Sequence, residues 1–315
     1  MINIQEVKKS FQNNGSKLIY QFLDGLNWKQ LTYKDINSNI DYVLSYLIAN
    51  KITNKRVLSL SMNCLDSFIL ESSLSSLGCD ISFFDERLSQ TLDIKRSFDI
   101  IIIDDIEKLS SNPMVKRLLD EENEIISIKH FKNITDYKQK VKSIKNIHKM
   151  GLLSKRRLDD NPEDYLKNIR KKNFVEFINH ENCIEVNIED FFAIIGEYKN
   201  IFDSINEKEF SSSLYLKPDL FSKSINHLFL LSSNKFTNNN SLISFLNNAN
   251  EIMPKNLVID SESIDNLVKI SKDSGVKLID LLGSRVKRII TYNYANGNNI
   301  GIIKSNGIEI FNSPL

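Results

Sequence analysis

Residues 31–89, LTYKDINSNIDYVLSYLIANKITNKRVLSLSMNCLDSFILESSLSSLGCDISFFDERLS, alternate helix and strand signals in the order of an α/β fold. Thr32 and Asp35 have capping-box spacing, in which a hydroxyl and a carboxylate satisfy the orphan donors of a helix start. Ile36, Ile40, Val43, Leu44 and Leu47 then recur at helical spacing, which predicts one apolar face docked on a flat surface. Arg56 to Met62 supplies that surface: Val57, Leu58 and Leu60 make the short apolar run of a buried parallel strand. A second helix is predicted over Leu65 to Leu77, closed by Gly78 in the left-handed conformation. Ile81, Phe83 and Phe84 form the next strand.

These pieces, in this order, resemble the adenylate-forming superfamily, which includes acyl-CoA synthetases and other AMP-dependent ligases. Leu31-Thr32-Tyr33 is similar to the "LTY" at that family's first helix, and Arg56-Val57 to its "RV" strand. Asn63 and Phe68 stand where the family often has "N…F", and Gly78 with Asp85-Glu86-Arg87-Leu88-Ser89 resembles its "G…DPRLS". Fainter likeness continues. Phe98 to Asp104 resembles the next buried strand, and Asn161-Pro162-Glu163-Asp164 the "PED" before the phosphate loop. Ile188 to Phe192 falls where the helix after that loop begins; 286–291 and 307–312 resemble the strands that bracket the adenine pocket. The resemblance covers most of the chain but only the larger N-terminal part of a full-length ligase. It implies an α/β fold of parallel sheets covered by helices, without the C-terminal lid. The first lobe is expected over 1–160 and the second over 161–315.

The motifs that are missing are as informative. The family holds ATP phosphates with a loop of the type YTSGTTGKPKG: glycines let the backbone approach, hydroxyls donate hydrogen bonds and lysine adds charge. The corresponding stretch here, Asn173 to Glu185, has no glycine, serine or threonine, and no glycine occurs between Gly151 and Gly196. Glu176, Glu181 and Glu185 are expected to repel a triphosphate. Where the family has Gly-Gly-Ala or Gly-Gly-Glu at the adenine pocket, this chain has Tyr292-Asn293-Tyr294-Ala295, and two tyrosines are expected to fill space that the nucleotide needs. After 307–312 the family continues into GYGxTE, a ribose-binding aspartate and a lid with a catalytic lysine; here Ser313-Pro314-Leu315 follow.

No catalytic constellation stands out, no cofactor-binding residue is assigned and no metal site is expected. His180 and Cys183 are close enough in sequence to suggest an activated thiolate, but no third orienting group is identifiable, so a structural role is expected for both. His130, His148 and His227 show no ligand spacing. Asp104-Asp105 and Asp159-Asp160 are adjacent carboxylates, which a strand points to opposite faces; they read as a strand exit and a loop, and Asp85 with Arg87 as a structural turn. An acidic-to-basic stretch between about 105 and 172, with Lys138, Lys142, Lys145, Lys155, Arg156 and Arg157, reads as a solvated helix and loop. The asparagine-rich run Asn234 to Asn250 reads as a surface loop and helix, and no internal repeat is apparent.

At 315 residues and 41% hydrophobic content the chain buries a large core, and a formal charge of +1 gives no pull toward nucleic acid or membrane. Three cysteines without a close pair, a start lacking a signal-peptide pattern and no span of about 20 apolar residues suit a cytoplasmic protein. Three functions stay open. The first is a degenerate ligase, non-catalytic alone and needing no cofactor, partnered by an intact ligase, a lid fragment or a carrier protein. The second is a carboxylic-acid or acyl-thioester binder completed by a second chain and using ATP and magnesium. The third is a basic-patch module for nucleic acid or an acidic partner.

Overall fold

The computed structural model describes residues 8–9, 11, 14–24, 27–62, 64–84, 97–105, 123–129, 141–156, 162–167, 169, 173–178, 183–205, 209–214, 219–232, 234–239, 241–292, 294 and 296–313. From the N-terminal side the chain forms β1 (Leu18–Asp24), β2 (Asn27–Thr32), α1 (Tyr33–Ala49), β3 (Arg56–Ser59), α2 (Leu65–Ser76) and β4 (Asp80–Phe84). There follow β5 (Ile100–Ile103), β6 (Glu124–Ser127), β7 (Val141–Ser143), α3 (Ile144–Lys155), α4 (Pro162–Lys167), β8 (Phe174–Ile178), β9 (Cys183–Asn187) and α5 (Ile188–Asp203). The rest holds β10 (Phe210–Leu214), α6 (Leu220–Leu231), β11 (Lys235–Asn239), α7 (Leu242–Ile252), β12 (Asn256–Ile259), α8 (Ser261–Ser274), α9 (Leu278–Leu281), β13 (Arg288–Tyr292), α10 (Gly297–Ser305) and β14 (Glu309–Ser313).

The chain divides into two interleaved units, not at a single cut near 160. One comprises Met1–Gly15, Tyr33–Glu197 and Pro218–His227; the other comprises Ser16–Thr32, Tyr198–Lys217 and Leu228–Leu315. Strand pairing is the reason. β8 lies beyond residue 160 yet pairs with β4 of the first sheet, whereas the N-terminal β1 pairs with β11 of the second.

In the first unit the sheet order is β7, β6, β5, β3, β4, β8, β9, parallel throughout except for the antiparallel pair β8 and β9. Its strands read as apolar runs because both faces are covered: all four residues of Ile100–Ile103 are buried, as are Val57 and Leu58. α1 starts right after Thr32 and buries Ile36, Ile40, Val43, Leu44 and Leu47, the face its periodicity predicts. α2 starts at Leu65, capped by an unforeseen residue: the Cys64 thiol accepts from the Ser67 N–H, and the Ser67 hydroxyl answers to the Cys64 backbone. At its other end Gly78 has φ +79°, the Gly78 N–H donates to Ser75 and the Cys79 N–H to Leu74, a Schellman close.

In the second unit the order is β14, β13, β12, β10, β11, β1, β2, again parallel but for the hairpin β1 and β2. The asparagine-rich run is no surface loop. Its first half is β11, paired with β10 on one side and β1 on the other. Polar side chains hydrogen-bond across that ladder, where Asn239 Nδ2 donates to Ser212 Oγ (2.7 Å) and Asn238 Nδ2 to Ser213 Oγ (2.9 Å).

The two sheets share one topology that the sequence does not repeat. Each has five parallel strands in the doubly wound order 2-1-3-4-5 and an antiparallel hairpin added beside strand 2. Each therefore has a topological switch point, between β3 and β5 in the first sheet and between β10 and β12 in the second. No helix among the described residues is long and apolar enough to cross a membrane.

Candidate functional site

The stretch that corresponds to a phosphate loop is a β-hairpin in the first unit. β8 and β9 pair from Phe174 with Asn187 to Ile178 with Cys183, so only residues 179–182 join them. Glu176 and Glu185 are thus strand residues, opposite each other in register, and do not belong to a loop. Glu181 and His180 lie outside the described residues. Glu176 is 6% exposed and accepts from Ser82 Oγ (2.6 Å) and from Cys183 Sγ (2.6 Å). The Cys183 thiol is accordingly engaged by a carboxylate. Glu176 and Glu185, with Arg56, Asp80, Phe98 and Phe174, line a cleft of about 240 Å³ at the amino ends of β3, β4 and β8, away from the 179–182 connection. Three carboxylates against one guanidinium make it a poor receptacle for a polyanion.

The exit of β13 in the second unit is equally changed from what a glycine pair would build. Tyr294 is buried among Leu257, Ile259, Leu267 and Ile303. Its hydroxyl donates to Asp265 Oδ1 (2.7 Å), an oxygen that also accepts from Asn299 Nδ2 (2.7 Å). Burial, and then the bond to Asp265, raises the tyrosine pKa, so the ring stays a neutral donor. Asn312 clamps the backbone of the same residue, accepting from the Tyr294 N–H (2.9 Å) and donating to its carbonyl (2.5 Å). Tyr294 is therefore a core bridge from the β13 exit to α8. Asn293, Ala295 and the side chain of Tyr292 lie outside the described residues.

The other candidates do not assemble into a catalytic group. Burial pushes the Cys64 thiol up to about 12 and the Cys79 thiol to about 11, which leaves both protonated and inert. Burial lowers the pKa of His148 and depresses that of His227 further, while His130 lies outside the described residues. Asp104 and Asp105 leave β5 in different directions: Asp104 Oδ2 accepts from the Met62 N–H (2.9 Å), and Asp105 pairs with Lys129 (3.8 Å). Asp85, Arg87, Asp159 and Asp160 lie outside the described residues. Among the described residues no three metal-ligating side chains come together. In the basic stretch Lys142 pairs with Glu124 (2.8 Å) over the Tyr46 ring, and Lys155 with Asp41 (2.6 Å). Those two cations are committed to the fold; Lys138 and Arg157 lie outside the described residues.

Reading the residues in order misses one buried ion pair, Glu71 with Lys223, at 3.0 Å. Its one sequence signal is a carboxylate inside the apolar run Phe68, Ile69, Leu70, Leu74, at a position the α2 helix buries.

No protein-family model matches the chain, and no curated protein sequence does. Solved structures do match. The luciferase-like enzyme of the nonluminescent mealworm Zophobas morio superposes with a TM-score of 0.70 at 15% identity, over 98% of this chain and 71% of that one. Klebsiella oxytoca NpsA, solved with 3-hydroxyanthranilyl-AMSN, gives 0.66 at 11% identity, over 98% and 57%. The fatty acyl-adenylate ligase of L. pneumophila, solved with acyl adenylate and pyrophosphate, gives 0.62 at 12% identity, over 97% and 53%. The chain spans little more than half the length of the last two proteins. Over nearly its whole length the chain has the adenylate-forming superfamily fold, that of the N-terminal part of such ligases.

Proposed function

We propose that the chain is a degenerate adenylate-forming ligase that does not make acyl adenylates itself and acts as a non-catalytic partner of an intact ligase, a lid fragment or a carrier protein. One observation carries this reading: strand pairing continues to Ile178 and Cys183, leaving the four residues Asn179-His180-Glu181-Asn182 in place of a glycine-rich loop. A phosphate cradle needs successive backbone N–H groups turned toward one point, which glycine permits, and hydroxyl or ammonium donors beside them. Those four residues supply neither glycine nor hydroxyl nor lysine. Glu176 and Glu185 of the flanking strands add negative charge to the hairpin itself. The retained fold without its phosphate-binding chemistry is what a partner subunit descended from an enzyme requires.

ATP–pyrophosphate exchange tests the reading. With aromatic and fatty acids as substrates, the chain is expected to give no exchange above a protein-free blank. Carboxylate-dependent exchange by the purified chain overturns it.

A further inference from the structure

The switch point of the first sheet lies beyond the C-terminal ends of β3 and β5, the place where open α/β sheets take ligands. In this protein that crevice is filled from within. Ser59 Oγ (2.5 Å) and Ser61 Oγ (2.8 Å) both donate to Glu71 Oε1, which reaches across from α2. On the β5 side Asp104 accepts the Met62 N–H. Into the space comes Lys223 from the first turn of α6. Its ammonium donates to Glu71 Oε1 (3.0 Å), to Glu71 Oε2 (3.3 Å) and to the Ser61 carbonyl (3.1 Å), and stands 4.6 Å from the centre of the Phe83 ring. Both charged side chains are 3% exposed.

We propose that this crevice is a primary-ammonium binding site whose resident ligand is Lys223, so that it serves as the anchor that fastens the start of α6 within the first unit. The chemistry selects an ammonium. Three N–H donors meet three oxygen acceptors, and the remaining approach is the face of an aromatic ring, which attracts a compact cation. A planar guanidinium would present five donors to this set and leave some of them unpaired. Ser59 and Ser61 donate their hydroxyl hydrogens to the same carboxylate and fix its orientation. A charge so deeply buried persists only when its partners are complete, which makes the site specific and not incidental.

Chemical rescue tests the site in the full chain. Lys223→Ala removes the three methylenes and ammonium beyond Cβ, so propylammonium has the missing shape. Thermal melts of Lys223→Ala are expected to show a loss of roughly 5–10 °C, because Glu71 is left buried and unpaired. Millimolar propylammonium chloride should return at least half of that loss, while equal sodium chloride or tetramethylammonium chloride should not, and the parent protein should respond to none of them. An unchanged melting point, or rescue by all three salts alike, overturns the proposal. If Lys223→Ala does not fold, the pair Glu71→Gln with Lys223→Met decides. The double variant should melt above Lys223→Met alone, since it leaves no buried lone charge; a double variant that melts no higher than the single one refutes the anchor.

Discussion

Gly151→Ala is expected to destabilise the protein by about 3 kcal/mol or more, although alanine is the better helix former. Gly151 lies within α3, and a methyl group there would stand 1.9 Å from the carbonyl oxygen of Tyr42 on α1 and 2.5 Å from its carbonyl carbon. Both atoms are backbone, so no rotamer change relieves the overlap, and the helices would have to separate. Intrinsic propensity favours alanine by about 1 kcal/mol, less than the packing term, so the sign is set by packing. Gly196→Ala in α5 is the matched control. Nothing lies within 4 Å of its added methyl, and the change should be neutral or stabilising. Urea unfolding of both variants makes the comparison; equal effects at the two positions would mean that α1 and α3 do not approach through Gly151.

The second large effect is expected at the end of α2. Gly78 combines φ +79° with a Schellman close, and a Cβ there would meet Asn54 Oδ1 at 2.4 Å and Ile169 Cγ2 at 3.3 Å. Asn54 is itself left-handed at φ +52°, and its N–H donates to the Leu77 carbonyl (3.2 Å), so its backbone is held and only its side chain is left to give way. Gly78→Val should cost about 1–3 kcal/mol from conformation alone, with the displacement of Asn54 added to that. Gly78→Asn should lose less, since asparagine tolerates the left-handed region. Melting curves showing valine and asparagine equally harmless would contradict a turn that delivers β4 to the sheet.

Three strands of the first sheet were legible, because parallel strands buried on both faces must be apolar runs, whereas β6 and β7 lie in the stretch read as a solvated helix and loop. Val57 and Leu58, Ile81 to Phe84 and Ile100 to Ile103 declare themselves, and Gly78 marks the turn between helix and strand. The second sheet was less so. β11 spends its side chains on serines of β10 and so carries asparagines where a buried strand ordinarily carries isoleucine or valine. The Cys64 cap escaped notice because a thiol is an uncommon capping acceptor. Glu176 stood out only as a charge unsuited to a triphosphate, and its place in a strand, bonded to Ser82 and Cys183, comes from tertiary pairing. Glu71 and Lys223 are 152 positions apart, and no local pattern joins them. The shared topology of the two sheets is likewise a property of pairing order, which similar folds reach through dissimilar side chains.

Calorimetric titration of the purified chain with millimolar magnesium ATP distinguishes a lost phosphate site from a retained one. With β8 and β9 paired up to a four-residue connection that lacks glycine, hydroxyl and lysine, no saturable heat is expected. Saturable equimolar binding that pyrophosphate competes away would show that a phosphate site exists, and would contradict its loss.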